Sequence, residues 1–256
     1  MNRRAKWITA PIDTEQAGIA FVRTFDTQKA IKKATLSVSA IGLYAAYINQ
    51  ERVGSDVLAP GWTIYNERVQ YQTHDVTALL QKSNTLCIEV GAGWAVGSIA
   101  WGTKMFADKT ALIAALTVTY TDGTREEIVS DTTWDVYTTH ILYSDIYHGE
   151  TVDKTAEIKH LGKAIRSDYQ TKLIAQIGEL ITEHERVAPV SLIRTPKGET
   201  VIDFGQEVTG YVEVRIKAAR GARIMLHHAE VLDQEGNFYT ENLRHAKCES
   251  LYVCSG

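Results

Sequence analysis

Apolar and polar positions alternate with a period of two along most of this chain, which is the signature of half-buried strands. Phe21-Val22-Arg23-Thr24-Phe25 opens the pattern. Ala34, Leu36, Val38 and Ala40 then alternate with Thr35, Ser37 and Ser39, setting one edge toward a core and one toward water. Tyr47-Ile48, Asn49-Gln50-Glu51 and Arg52-Val53 read as a hairpin, with Asn49 suited to positive φ and Gln50 a poorer turn residue than glycine. Asp75 is placed to cap one short helical turn over 76–80, and 85–90 is a compact apolar strand. Leu112, Ala114, Leu116, Val118 and Tyr120 alternate again, Asp122-Gly123 signals a tight hairpin, and 126–129 returns. Residues 132–137 form another strand candidate.

The second half carries the same period with one interruption. Leu173, Ile174, Ile177, Leu180 and Ile181 fall at helical spacing. Gly178 weakens a helix there by ~1 kcal/mol, and Pro189 ends any helix before Val190. A linker leading into a strand competes with the helix. Beyond it, 201–210 reads as a strand end, a polar corner and a new strand, with Asp203 and Gln206 as the residues expected to fix the corner by hydrogen bonds to the local backbone. Val212, Val214 and Ile216 alternate with Glu213 and Arg215, and 222–226 is expected to return against them. Asp233-Gln234-Glu235-Gly236-Asn237 is a turn, Phe238-Tyr239 restarts a strand, and Leu251-Tyr252-Val253 is the last strand candidate. Recurrent strands, frequent turn signals and no long amphipathic helix predict an all-β sandwich architecture, not an α/β sheet.

Composition adds exclusions. The 256 residues are 45% apolar and 23% charged, enough for one large β domain or two smaller ones. A formal charge of −4 and scattered basic residues argue against nucleic acid or an anionic membrane as partner. Arg3-Arg4 is followed at once by Thr9, Pro11 and Asp13, which predicts surface charge and no export signal. Cys87, Cys248 and Cys254 form an odd, sparse set that suits free thiols in a reducing, cytoplasmic setting.

Few residues suggest chemistry. Trp62 follows Pro60-Gly61, Trp94 follows Gly91-Ala92-Gly93, and Gly97 and Gly102 bracket Trp101, so all three rings fall on loops. With Tyr65 they are the candidate carbohydrate contacts, because a pyranose presents an apolar C–H face that lies well on an aromatic ring. The competing reading is that these rings cap the core or fill an interdomain seam. Glu150 and Asp153 resemble a carboxylate pair, but three residues apart in a strand they point to opposite faces. His228 and Glu230 share a strand face without a visible third ligand, so no metal site is expected. No Gly-rich phosphate loop is present, and no cofactor is expected.

A collinear series of short segments resembles the N-terminal, non-catalytic part of the bacterial α-L-rhamnosidases. It runs through Ala5-Lys6-Trp7-Ile8-Thr9-Ala10-Pro11, Leu43-Tyr44-Ala45-Ala46-Tyr47-Ile48-Asn49, Leu58-Ala59-Pro60-Gly61-Trp62, Arg68-Val69-Gln70-Tyr71 and Gly91-Ala92-Gly93-Trp94. It continues through Asp131-Thr132-Thr133-Trp134, Gly149-Glu150-Thr151-Val152-Asp153, Asp203-Phe204-Gly205-Gln206, His228-Ala229-Glu230-Val231-Leu232 and Glu241-Asn242-Leu243-Arg244. The chain departs from the family pattern at Gln50, Ala92, Val152, Lys154 and Glu249-Ser250. The resemblance implies two jelly-roll-like β-sandwich modules, 1–175 and 176–256, the second incomplete. In the family an (α/α)6 barrel follows and carries the two carboxylates of an inverting hydrolysis, ~6.5–9.5 Å apart. That implies a non-catalytic chain acting with a catalytic barrel in cis on a rhamnose-containing glycoside. The alternative is a free-standing, lectin-like carbohydrate-binding module. An incomplete second sandwich would also leave unpaired edges at 212–216 or 251–253, open to self-association.

Overall fold

The alternating runs around 34–40 and 112–120 pair with each other. Strand Ile31–Ile41 lies antiparallel to Ala111–Tyr120, with Leu36 opposite Leu116 and Val38 opposite Ala114. A tight hairpin joins Ala111–Tyr120 to Arg125–Val129, where Gly123 takes φ +82° and Asp122 Oδ1 accepts from Thr124 N at 2.9 Å. The computed structural model describes residues 1–99 and 102–256, and these are nearly all β.

Two large sheets enclose the main core. The first has the order Ile165–Arg166, Ile8–Thr9, Ala111–Tyr120, Ile31–Ile41, Arg68–Asp75, Lys172–Ala175, with Arg125–Val129 also paired to Ala111–Tyr120. The second runs His160–Lys163, Asp135–Thr138, Ile19–Asp26, Ser83–Gly91, Leu43–Ile48, Glu51–Arg52. Between them lie Phe21, Leu36, Val38, Ile48, Leu86, Ile88, Leu112, Leu116 and Trp134, all fully buried. The Trp134 indole satisfies itself by donating to the Val129 carbonyl at 2.9 Å.

One-sided alternation was expected of 112–120, and the structure departs from it. Ala111, Ile113 and Ala115, on the opposite face, are buried in a second cluster with Trp7, Ile41, Tyr65, Val69, Ala92, Ala95 and Val96. The N-terminal segment and the loop around 92–96 cover that face, so the strand is buried on both sides.

After residue 175 the organisation changes. Residues 176–190 are mostly irregular and extended, so the helical spacing at 173–181 does not produce a helix; Leu173 and Ile174 sit in strand Lys172–Ala175 instead. That strand adds parallel to Arg68–Asp75, and tertiary pairing overrides the local period. A four-stranded sheet then draws from both halves of the chain: Ile141–Asp145, Gly149–Asp153, Glu249–Val253, Arg223–His227. Glu249–Val253 lies inside this sheet, parallel to Gly149–Asp153 and antiparallel to Arg223–His227, so 251–253 is not an unpaired edge as expected. Ser191–Arg194 and Thr200–Asp203 form a separate hairpin. Residues 212–216 are not in a strand, and Val212, Val214 and Ile216 are exposed.

Candidate functional site

The loop that carries Trp62 leaves strand Leu43–Ile48 through Glu51–Arg52 and reaches a cis Ala59–Pro60 bond. Gly61 follows with φ +87°, and its amide donates to the Leu58 carbonyl at 2.9 Å. Thr63 Oγ1 then donates to the Arg68 carbonyl at 2.6 Å, tying the loop back to the next strand. With the loop tied down by these two hydrogen bonds, Trp62 points outward and is 54% exposed.

Trp94 sits in a single helical turn, Gly93–Val96, at the end of strand Ser83–Gly91. The turn needs glycine at its start. Gly93 has φ +53°, and a Cβ there would lie 2.6 Å from Leu43 Cγ and 3.0 Å from Leu43 N. Ala92 is fully buried, and its amide donates to Ser144 Oγ at 3.1 Å. The exit of the turn is fixed by Asp145, whose Oδ2 accepts from Ser98 N at 2.7 Å and Gln16 Nε2 at 2.9 Å. Its Oδ1 accepts from Tyr147 N and His148 N at 2.7 and 2.8 Å. Burial alone would raise this carboxyl, but the amides of His148, Ser98 and Tyr147 outweigh it and hold it below the usual value. Asp145 was not legible in the sequence as a site residue, because its donors lie up to 129 positions away.

The two loops bring Trp62 and Trp94 together. Their rings stack with centroids 5.9 Å apart and planes 22° from parallel. Trp94 is half-buried against the second core cluster, while Trp62 lies on it with its other face toward solvent. The pair is a supported aromatic surface of the kind that accepts an apolar ring face.

The other candidates separate from this pair. Tyr65 is a correction: it is fully buried and packs on Phe106, with centroids 5.2 Å apart, so it offers no face to a ligand. Its backbone carbonyl accepts from Tyr169 Oη and Thr171 Oγ1, both at 2.8 Å, which draws the residue inward. Trp101 lies outside the described residues. Asp203 does fix its corner: Oδ1 accepts from Gly205 N at 2.8 Å and Oδ2 from Ser191 Oγ at 3.3 Å. Gln206 does not; it is exposed and makes no side-chain hydrogen bond among the described residues. Asp153 is engaged by Thr155 through its amide at 2.7 Å and its hydroxyl at 2.6 Å, away from any partnership with Glu150. His228 lies beside Ser250 Oγ at 3.4 Å, whereas Glu230 accepts from Asn242 at 3.1 Å, so those two side chains have separate partners.

Comparison with known proteins gives a consistent picture. A family model described as the alpha-L-rhamnosidase N-terminal domain matches residues 29–193, and one described as the bacterial alpha-L-rhamnosidase concanavalin-like domain matches 193–256. An alpha-L-rhamnosidase of Streptomyces avermitilis is 36% identical over 89% of this chain and 24% of its own length. One from Formosa agariphila is 28% identical over 98% of this chain and 30% of its own. The chain thus spans less than a third of these relatives. Among solved structures, the native rhamnosidase from Aspergillus terreus superposes with a TM-score of 0.94 at 31% identity, over 99% of this chain and 32% of that one. The Streptomyces avermitilis enzyme, solved in complex with L-rhamnose, superposes at 0.89 with 33% identity, over 94% and 25%. With a family model covering more than half of its residues and the same arrangement of sheets in solved members, this chain belongs to the alpha-L-rhamnosidase N-terminal domain family.

Proposed function

We propose that this chain serves as the N-terminal, non-catalytic part of an α-L-rhamnosidase and that the Trp62–Trp94 stack contacts the sugar. The observation that carries the reading is the stack itself: two tryptophans 32 positions apart, held by separate loops, with the outer ring more than half exposed. An exposed indole backed by a second, half-buried indole presents a rigid apolar face on which the C–H face of a sugar ring can lie. In this reading the ligand is a rhamnose-containing glycoside, and hydrolysis belongs to a barrel joined in cis, where one carboxyl group protonates the leaving oxygen and the other activates water.

Calorimetry on the 256-residue chain with L-rhamnose and a rhamnosylated oligosaccharide tests the sugar contact. Saturable heat that Trp62→Ala weakens at least tenfold is the expected result. Binding unchanged in both Trp62→Ala and Trp94→Ala would assign the stack to packing against another domain. An aryl α-L-rhamnoside assay tests the division of labour: no turnover is expected, and turnover abolished by Glu150→Gln would place catalysis in this chain. We further infer that the exposed apolar segment around 212–216 is the surface through which this chain on its own self-associates.

A further inference from the structure

The connecting segment after residue 175 is docked onto the first sandwich at two places. At the first, Gln176 N donates to the Tyr71 carbonyl at 3.0 Å, and Gln72 Nε2 donates to Gln176 Oε1 at 2.6 Å. The buried Gln72 is completed by Tyr44 Oη, which donates to its Oε1 at 2.8 Å. At the second, Asp56 bridges Thr182 in antiparallel register, and Val57 N donates to the Ile181 carbonyl at 2.8 Å.

Beneath this second place lies an unusual pair. The Asp56 and His74 side chains are 3% and 9% exposed, and Oδ1 faces Nε2 at 3.8 Å. That is beyond hydrogen-bond distance, and neither atom has another partner among the described residues. Buried polar atoms left without a partner are costly, so a change in the charge of either one is felt directly by the other. The space around them is closed on one side by Gly54: a Cβ there would stand 2.5 Å from Asp56 Oδ1 and 2.8 Å from His74 Cε1 and Nδ1.

We propose that Asp56 and His74 form a proton-operated latch beneath the connecting segment, closed while His74 is neutral and released when it is protonated. The two members are unequal. His74 is held in strand Arg68–Asp75, whereas Asp56 is on a loop and carries on its own backbone the bridge to Thr182. A proton on His74 makes a buried imidazolium, which must either be hydrated or draw the carboxylate ~1 Å closer to reach hydrogen-bond distance. Both responses move Asp56, and with it the Val57–Ile181 bond.

The surrounding charges set the direction. Burial acts most strongly on His74 and lowers its affinity for a proton, Asp56 raises it, and Arg52 lowers it again; the net shift is downward from 6.5. Arg52 is committed locally, donating to the Asp56 carbonyl at 2.8 Å, and Tyr44 is the phenol next to Asp56. The connecting segment's own Glu179, Glu183 and His184 are exposed. The closed state therefore binds the proton less readily than an opened, hydrated state. Acidification through 6.5 shifts the balance toward opening, by at most tenfold per pH unit for a single proton.

The test is NMR on the whole chain. His74 is expected to titrate below 6.5, and the amide-exchange protection factor of Val57 is expected to fall about tenfold or more between pH 7.5 and 5, an effect that His74→Gln abolishes. A His74 midpoint at or above 6.5 would overturn the proposal. So would an unchanged Val57 protection factor, or an equal fall in the His74→Gln chain. If that variant does not fold, the first two readings in the unsubstituted chain decide.

Discussion

Gln50 occupies a backbone conformation that suits glycine. The turn between Leu43–Ile48 and Glu51–Arg52 has φ +52° at Asn49 and +72° at Gln50, the positive pair that a two-residue hairpin of this hand requires. Asn49 is well used: its Oδ1 accepts from Thr85 N at 3.0 Å, and its Nδ2 donates to the Leu79 carbonyl at 2.9 Å and Asn84 Oδ1 at 3.0 Å. The strain therefore rests on Gln50. Gln50→Gly is expected to stabilise the chain by roughly 0.5–1 kcal/mol, since relief of the left-handed conformation outweighs the added freedom of the unfolded chain. Chemical denaturation reads this as a higher midpoint at constant slope. An equal gain from Asn49→Gly would contradict it, because that change also removes three hydrogen bonds.

At the scale of elements, the one-turn helix Gly93–Val96 is too short to hold itself and depends on its neighbours. Asp145, at the end of strand Ile141–Asp145, supplies the main fastening by accepting four hydrogen bonds from Gln16, Ser98, Tyr147 and His148. Asp145→Ala is expected to cost about 2–4 kcal/mol, because buried donors are left without partners. It should also loosen the Trp62–Trp94 stack, seen as a loss of near-ultraviolet tryptophan circular dichroism. The pH dependence has a definite sign. The folded carboxyl is held below 3.8, so its contribution is present above that value and fades as pH falls through the lower folded one. Asp145→Asn should flatten this part of the acid-unfolding curve; a curve that keeps its shape would remove Asp145 from the account.

Across the whole molecule the burden of burial is uneven. Both apolar clusters among the described residues are drawn from positions up to 173, whereas Ile177, Leu192, Ile202, Val208, Tyr211, Val212, Val214 and Ile216 are all exposed. Around 211–213 the polar side is tethered, Tyr211 Oη bonding Glu183 and Arg186 Nη1 donating to Glu213 at 2.6 Å. The alternate positions 212, 214 and 216 carry only valine and isoleucine, an exposed apolar row outside any described strand. An exposed apolar row of this alternating kind is suited to being covered by another chain, by strand formation or by apolar contact. The 256-residue chain is expected to sediment as concentration-dependent oligomers, and Val214→Lys to shift it toward monomer. Monomer at high concentration without the substitution would refute self-association. The curated relatives this chain matches extend to three or four times its length.

The sequence by itself determined what depends on neighbours a few residues apart. Period-two alternation, Asp122-Gly123, the Asn49-Gln50 turn and the Asp203–Gly205 corner were legible because each is a local conflict or match between side chain and backbone. The serial resemblance through Gly91-Ala92-Gly93-Trp94 and Asp203-Phe204-Gly205-Gln206 also placed the chain in its family from residues alone. Only the tertiary structure decided what covers each face. A strand pattern says which residues point together but not whether a second layer lies on the other side, so Ile113 and Tyr65 are buried while Val214 is not. It likewise brought Trp62 onto Trp94, Asp145 to Gln16, and Gly149–Asp153 beside Glu249–Val253. Those contacts join segments from 32 to 129 positions apart, where chain connectivity carries no information about proximity and only the packing of the two sandwich layers fixes it.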